Sequence, residues 1–187
     1  TLEEISLPVW LAGPFSQLYG WTELLAGDAA AAERQLRWAL ETLREIGELA
    51  WLSTVAGMLA EAVRVQGRLD ESEELLGVEE EAAGSEDAYS QALLRSVRSK
   101  IRARQGDSDE AERLAREAVE TASGTDFLFL QWFTLTSLRE VLEVAGRGDE
   151  AQSALAQAVE VAGRKGFGTA ARRANAGLAG EHPERPS

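Results

Sequence analysis

Between residues 51 and 65 the apolar side chains Trp51, Leu52, Val55, Met58, Leu59, Ala62 and Val63 return at intervals of three and four, the spacing of one helix face, and the run stops at Gly67. Leu114, Ala115, Ala118, Val119 and Ala122 repeat the pattern after Gly106. No sustained alternation of period two is present, and the good helix formers Ala, Leu, Glu and Arg dominate. The chain therefore divides into helices near 15–26, 29–46, 49–66, 69–83, 87–105, 108–123, 126–145 and 149–165, with a shorter one near 168–179. The predicted class is all-α.

These helices recur in pairs. Gly27, Gly67, Gly106 and Gly146 open four similar segments and stand 40, 39 and 40 residues apart. A glycine after an apolar run can take the left-handed conformation that ends a helix, and an Asp or Ser just beyond it can cap the next one. Each glycine then marks the bend of a helical hairpin. Five residues past the bends stand Ala32, Ser72, Ala111 and Ala151, and twelve past them Ala39, Glu79, Ala118 and Ala158. Positions seven apart share a helix face, and small side chains there let two helices approach closely.

The pattern Gly-x-x-x-x-Ala with a second Ala seven residues on, inside a helix-turn-helix unit, resembles the tetratricopeptide repeat, whose usual unit is ~34 residues. The longer unit is similar to arrays at the C-terminal end of large bacterial regulators, where they follow a signalling ATPase and sometimes accompany a DNA-binding or cyclase domain. Leu-Ala-Glu-Ala-Val-Arg-Val-Gln-Gly-Arg (59–68) and Glu-Ala-Glu-Arg-Leu-Ala-Arg-Glu-Ala-Val (110–119) carry that likeness, which extends over about 20–165. It implies a right-handed superhelical solenoid of stacked antiparallel hairpins. On this reading 1–26 is an N-terminal cap with the first repeat helix, 27–166 the repeats, 167–180 a capping helix and 181–187 a disordered tail. Two departures stand out: the proline usual at the repeat end is missing, and Glu79 replaces a small residue, so the second hairpin is expected to pack less tightly.

Composition narrows the chemistry. The 187 residues carry a formal net charge of -13, which sets the body against direct nucleic-acid or anionic-membrane contact. Cysteine is absent and the single histidine is His182, so disulfides, Cys/His zinc sites, Cys nucleophiles and Ser-His triads lack their parts. Glu79, Glu80 and Glu81 diverge around a helix rather than forming an acid and base pair, and Gly163, Gly166 and Gly168 lack the strand and spacing of a dinucleotide fingerprint. No catalytic residue, cofactor or metal is expected. The apolar stretch at 7–18 is broken by Pro8, Gly13 and Pro14 and follows Glu3 and Glu4, unlike a secretory signal. Cytoplasm is the default expectation, and the start at Thr1 suggests processing or excision from a larger polypeptide.

In the family the groove is lined by the first helix of each hairpin, and by that resemblance the partner-binding candidates are Trp21, Glu61, Arg64, Lys100, Arg104, Phe133 and Glu140, with Gln17, Leu24, Thr54, Ser96, Thr136 and Glu143 beside them. Arg95, Arg98 and Arg102 share one helix face and form a candidate anion-binding surface; the same cations can instead pair with Glu71, Glu73, Glu74 or Glu110. The run Phe127-Leu128-Phe129-Leu130-Gln131-Trp132-Phe133 is apolar all round, either a core helix or an aromatic anchor for a partner. Trp10, Phe15, Tyr19 and Trp21 form a second aromatic group that suits capping or homodimer formation. The expected function is a non-enzymatic scaffold that receives a peptide or protein domain, including one of the same polypeptide, as the regulatory arm of a larger bacterial regulator. The alternative is a small-molecule sensor gating an attached ATPase or cyclase. An open wet groove favours the first, an enclosed pocket near Trp21, Arg64 and Lys100 the second.

Overall fold

The computed structural model describes residues 7–82 and 87–164. It is all-α: among the described residues there are eight α-helices and no strand. These are α1 (Ser16–Ala26), α2 (Ala29–Glu45), α3 (Leu52–Val65), α4 (Leu69–Ala82), α5 (Ala88–Gln105), α6 (Ser108–Ser123), α7 (Leu128–Val144) and α8 (Gly148–Gly163). The expected helix at 168–179, the tail with His182, and the side chains of Glu79, Glu80 and Glu81 lie outside the described residues.

The bends follow the glycines. Gly27, Gly67, Gly106 and Gly146 have φ of 84, 84, 88 and 74°, left-handed values that a Cβ disfavours. Asp28 then caps α2 by accepting from the Ala31 amide at 2.8 Å, and Asp107 caps α6 through the Glu110 amide. The small residues past each bend are buried: Ala32, Ser72, Ala111 and Ala151, and seven further on Ala39, Ala118 and Ala158. Ser72 also donates its Oγ to the Ala60 carbonyl at 2.8 Å, fastening α4 to α3.

One start differs from its expected place. The chain is already helical before α1 and passes through a π-turn at Leu11–Phe15 that contains Pro14. A proline ring clashes with the carbonyl four residues back in a regular helix, and the wider π-turn relieves that clash. Ser16 donates its Oγ to the Leu11 carbonyl at 2.7 Å. Gly13 faces Trp51 so closely that a Cβ there would stand 2.8 Å from the indole Cγ.

Helices α1 and α2, α3 and α4, α5 and α6, α7 and α8 pair as hairpins, and each first helix packs on the first helix of the next hairpin. Crowding from α1, α2, α4 and α5 makes α3 a core helix, buried from Leu52 to Arg64 with its polar residues included. Helix α7 is buried along Leu130, Trp132, Phe133, Leu135 and Leu138, whereas Phe127 remains exposed at its start.

Ion pairs fasten the second helices of neighbouring hairpins, the first to the second and the third to the fourth. Glu33, Arg37, Arg68 and Glu71 join α2 to the start of α4, with Arg37–Glu33 at 2.8 Å and Arg68–Glu71 at 2.7 Å. The same quartet returns 79 residues on as Glu112, Arg116, Arg147 and Glu150, joining α6 to α8. Partial burial would raise the Glu33 carboxyl, but hydrogen bonds from Arg68, Gln66 and Arg37 hold it at about 2.

Candidate functional site

Four of the groove candidates, spread over three helices, converge into one buried cluster. Glu61 and Arg64 extend from α3, Lys100 from α5 and Glu140 from α7. Arg64 grips Glu61 with Nε and Nη2 at 2.8 and 3.0 Å and reaches Glu140 with Nη1 at 3.0 Å. Lys100 Nζ donates to Glu61 Oε1 at 2.7 Å and lies 4.4 Å from the centre of the Phe133 ring. Arg104, more than half exposed, adds a contact to Glu140 at 3.3 Å. Burial alone would raise the Glu61 carboxyl; the Arg64 and Lys100 cations outweigh it and hold the group at about 2. The same carboxylate, with Glu140, raises Arg64 against its burial. Burial dominates at Lys100 and lowers its ammonium, with Glu61 opposing. The charges in this centre are directed at one another.

The remaining candidates take varied places. Thr54 is buried and shares a hydrogen bond with Ser90, Thr136 donates to the Phe133 carbonyl, and Glu143 pairs with Arg139. Ser96 buries its Oγ with no hydrogen-bond partner among the described residues, and Leu24 packs on the core. On the basic face Arg98 and Arg102 both reach Glu73 of α4, at 3.2 and 3.0 Å, and Arg95 lies 3.6 Å from Glu117 of α6. Neighbouring acids thus meet the three arginines.

Aromatic rings close the space above the charged centre. Trp21 of α1 reaches across to α7 and meets Phe129 and Phe133 at centroid distances of 4.8 and 4.9 Å. Phe133 is therefore shared by Trp21 and Lys100. Beyond Trp21 the space opens into a cavity of about 930 Å³, bounded by α1, the starts of α3, α5 and α7, and the end of α8. Its aromatic wall is Trp21, Trp51, Tyr89, Phe127 and Phe129, with Tyr89 edge-on to Phe127 at 5.6 Å. Its polar groups include Gln17, Asp87 and Asp126. Asp87 is the N-cap of α5, accepting from the Tyr89 and Ser90 amides and, at 2.6 Å, from Ser90 Oγ. Burial pushes the Tyr89 hydroxyl up, with Trp21 and Gln17, which face its oxygen, opposing.

Sequence reasoning placed Trp21, Gln17 and Thr54 near this space but missed Trp51, Tyr89, Asp87 and Asp126. A signal existed: aromatics stand 16 or 17 residues before each bend glycine, as Trp10, Trp51, Tyr89 and Phe129. Trp10, Phe15 and Tyr19 are exposed. The residues 40 positions on from Phe15, Leu18 and Tyr19, namely Val55, Met58 and Leu59, are fully buried.

No group of acids among the described residues is arranged to hold a metal ion, and no described helix is long and apolar enough to cross a membrane. No protein-family model matches the chain, and no curated relative does. A solved structure is similar: the crystal structure of BtubC (BKLC) from P. vanneervenii, with a TM-score of 0.54 and 18% sequence identity over 96% of this chain and 69% of that one. At that identity the likeness speaks for the helical fold alone.

Proposed function

We propose that the chain is a non-enzymatic binding module, a superhelical array of tetratricopeptide-like hairpins, whose recognition site is the aromatic cavity between the first and last hairpins. The carrying observation is a division of labour on the inner helix faces. The charged centre is internally paired and mostly buried, whereas the cavity of about 930 Å³ presents a largely apolar wall. A preformed concave, mostly apolar space with a few polar groups is the usual form of a small-ligand site. Of the residues expected around a sensor pocket the cavity includes Trp21 but neither Arg64 nor Lys100; its volume and apolar lining are what favour a small-molecule sensor over an open scaffold. Trp21 and Phe129 span the cavity floor, so an occupant that wedges between them separates α1 from α7 and alters the curvature of the array. In a regulator of the kind the sequence resembles, that change would reach an attached ATPase or cyclase.

The test is titration with the neutral apolar dye N-phenyl-1-naphthylamine, against wild type and Ala50→Trp, which places a bulky ring in the cavity wall. Saturable dye fluorescence at one site per chain, lost in a variant with unchanged helical circular dichroism, is the expected outcome. Dye binding that the filled variant retains in full would remove the cavity from consideration.

A further inference from the structure

The binding-module reading leaves the class of ligand open, and the cavity lining specifies it. Five aromatic side chains and two aspartates, Asp87 and Asp126, face the space, and among the described residues no Lys, Arg or His lines it. Lys100, 4.4 Å from the centre of the Phe133 ring, and Arg64 are committed to Glu61 and Glu140. Among the described residues the Asp126 carboxylate makes no ion pair, while Asp87 is fixed in place by its helix cap. Ring faces carry negative quadrupole charge and attract cations within about 6 Å of their centres. An anion entering here would meet two carboxylates and the ring faces together; a cation would find complementary charge and apolar wall at once.

We infer that the cavity accepts an organic cation, an aromatic-sized apolar body bearing an amine, guanidinium or quaternary centre that rests among the rings beside Asp87 and Asp126. This inference rests on the binding-module reading and adds the sign and class of the ligand.

Tetraphenylphosphonium and tetraphenylborate have nearly the same size and shape and opposite charge. Each is titrated against the protein and followed by quenching of the tryptophans, two of which line the cavity. The phosphonium is expected to bind about tenfold tighter than the borate. The preference should vanish in Asp87→Asn/Asp126→Asn, where Asn keeps the helix cap, and persist in Glu41→Gln/Glu120→Gln, a pair of exposed acids away from the cavity lining with the same change in net charge. Equal affinity for both ions overturns the inference, as does a preference that both variant pairs reduce alike, since that reports overall charge. Failure of the phosphonium where the neutral dye still binds overturns the ligand class alone. Failure of phosphonium, borate and dye together overturns the binding site as well.

Discussion

At the scale of single residues, Glu61 organises the interior. Its two carboxylate oxygens receive Arg64 and Lys100, so its removal leaves Lys100 without its buried carboxylate and Arg64 with Glu140 alone. Glu61→Gln is expected to cost roughly 3–5 kcal/mol in urea denaturation at neutral pH, the range for breaking a buried pair. Lys100→Met should cost less than half as much, because Arg64 still satisfies Glu61 and the thioether keeps the contact with Phe133. The pH dependence has a definite sign. A carboxylate held at about 2, against an ordinary 4.5, contributes stability that is complete above pH 4.5 and lost as pH falls toward 2. The gap between wild type and Glu61→Gln should therefore narrow steadily below pH 4.5.

At the scale of elements, the hairpin bends and the helix interiors make opposite demands on glycine. Gly106 has φ of 88°, and Gly106→Ala should destabilise by about 1–2 kcal/mol. Gly77 lies inside α4, with nothing near its would-be Cβ, and Gly77→Ala should stabilise by about 0.5–1 kcal/mol. Thermal unfolding of the two variants reads both signs. The bends were legible in sequence because backbone stereochemistry is local: the spacing of Gly27, Gly67, Gly106 and Gly146 was sufficient to place the helices between them. The π-turn at Leu11–Phe15 was not, since Pro14 reads as a helix breaker unless the wider turn is already known. The burial of α3 on every side was hidden too, because its Ser53, Thr54, Glu61 and Arg64 find their partners on other helices.

At the scale of the whole molecule, the contact of Trp21 with Phe129 and Phe133 ties the first hairpin to the last. Repeat arrays ordinarily contact only their neighbours, and their stability is a sum of neighbouring terms. This added tie should make the four hairpins open together. Trp21→Ala, at a cost of roughly 3–5 kcal/mol, is expected to uncouple them, with native-state hydrogen exchange showing α1 and α2 losing protection ahead of α5 and α6. Uniform loss across all helices would refute the coupling. Sequence could nominate Trp21 and Phe133 separately, but no local pattern reports that residues this far apart in the chain touch; likewise the cavity is assembled from the side of α1 and the ends of four other helices.

The quartet of Glu33, Arg37, Arg68 and Glu71 that returns as Glu112, Arg116, Arg147 and Glu150 gives the molecule a built-in yardstick. By that alignment Trp21 has Lys100 as its twin and Glu61 has Glu140. One pair of twins meets at the ring of Phe133 and the other at the guanidinium of Arg64. What separates the greasy chamber from the ionic one is thus a parting of ways between matched halves, and exchanging twin side chains would show which half dictates the character of each.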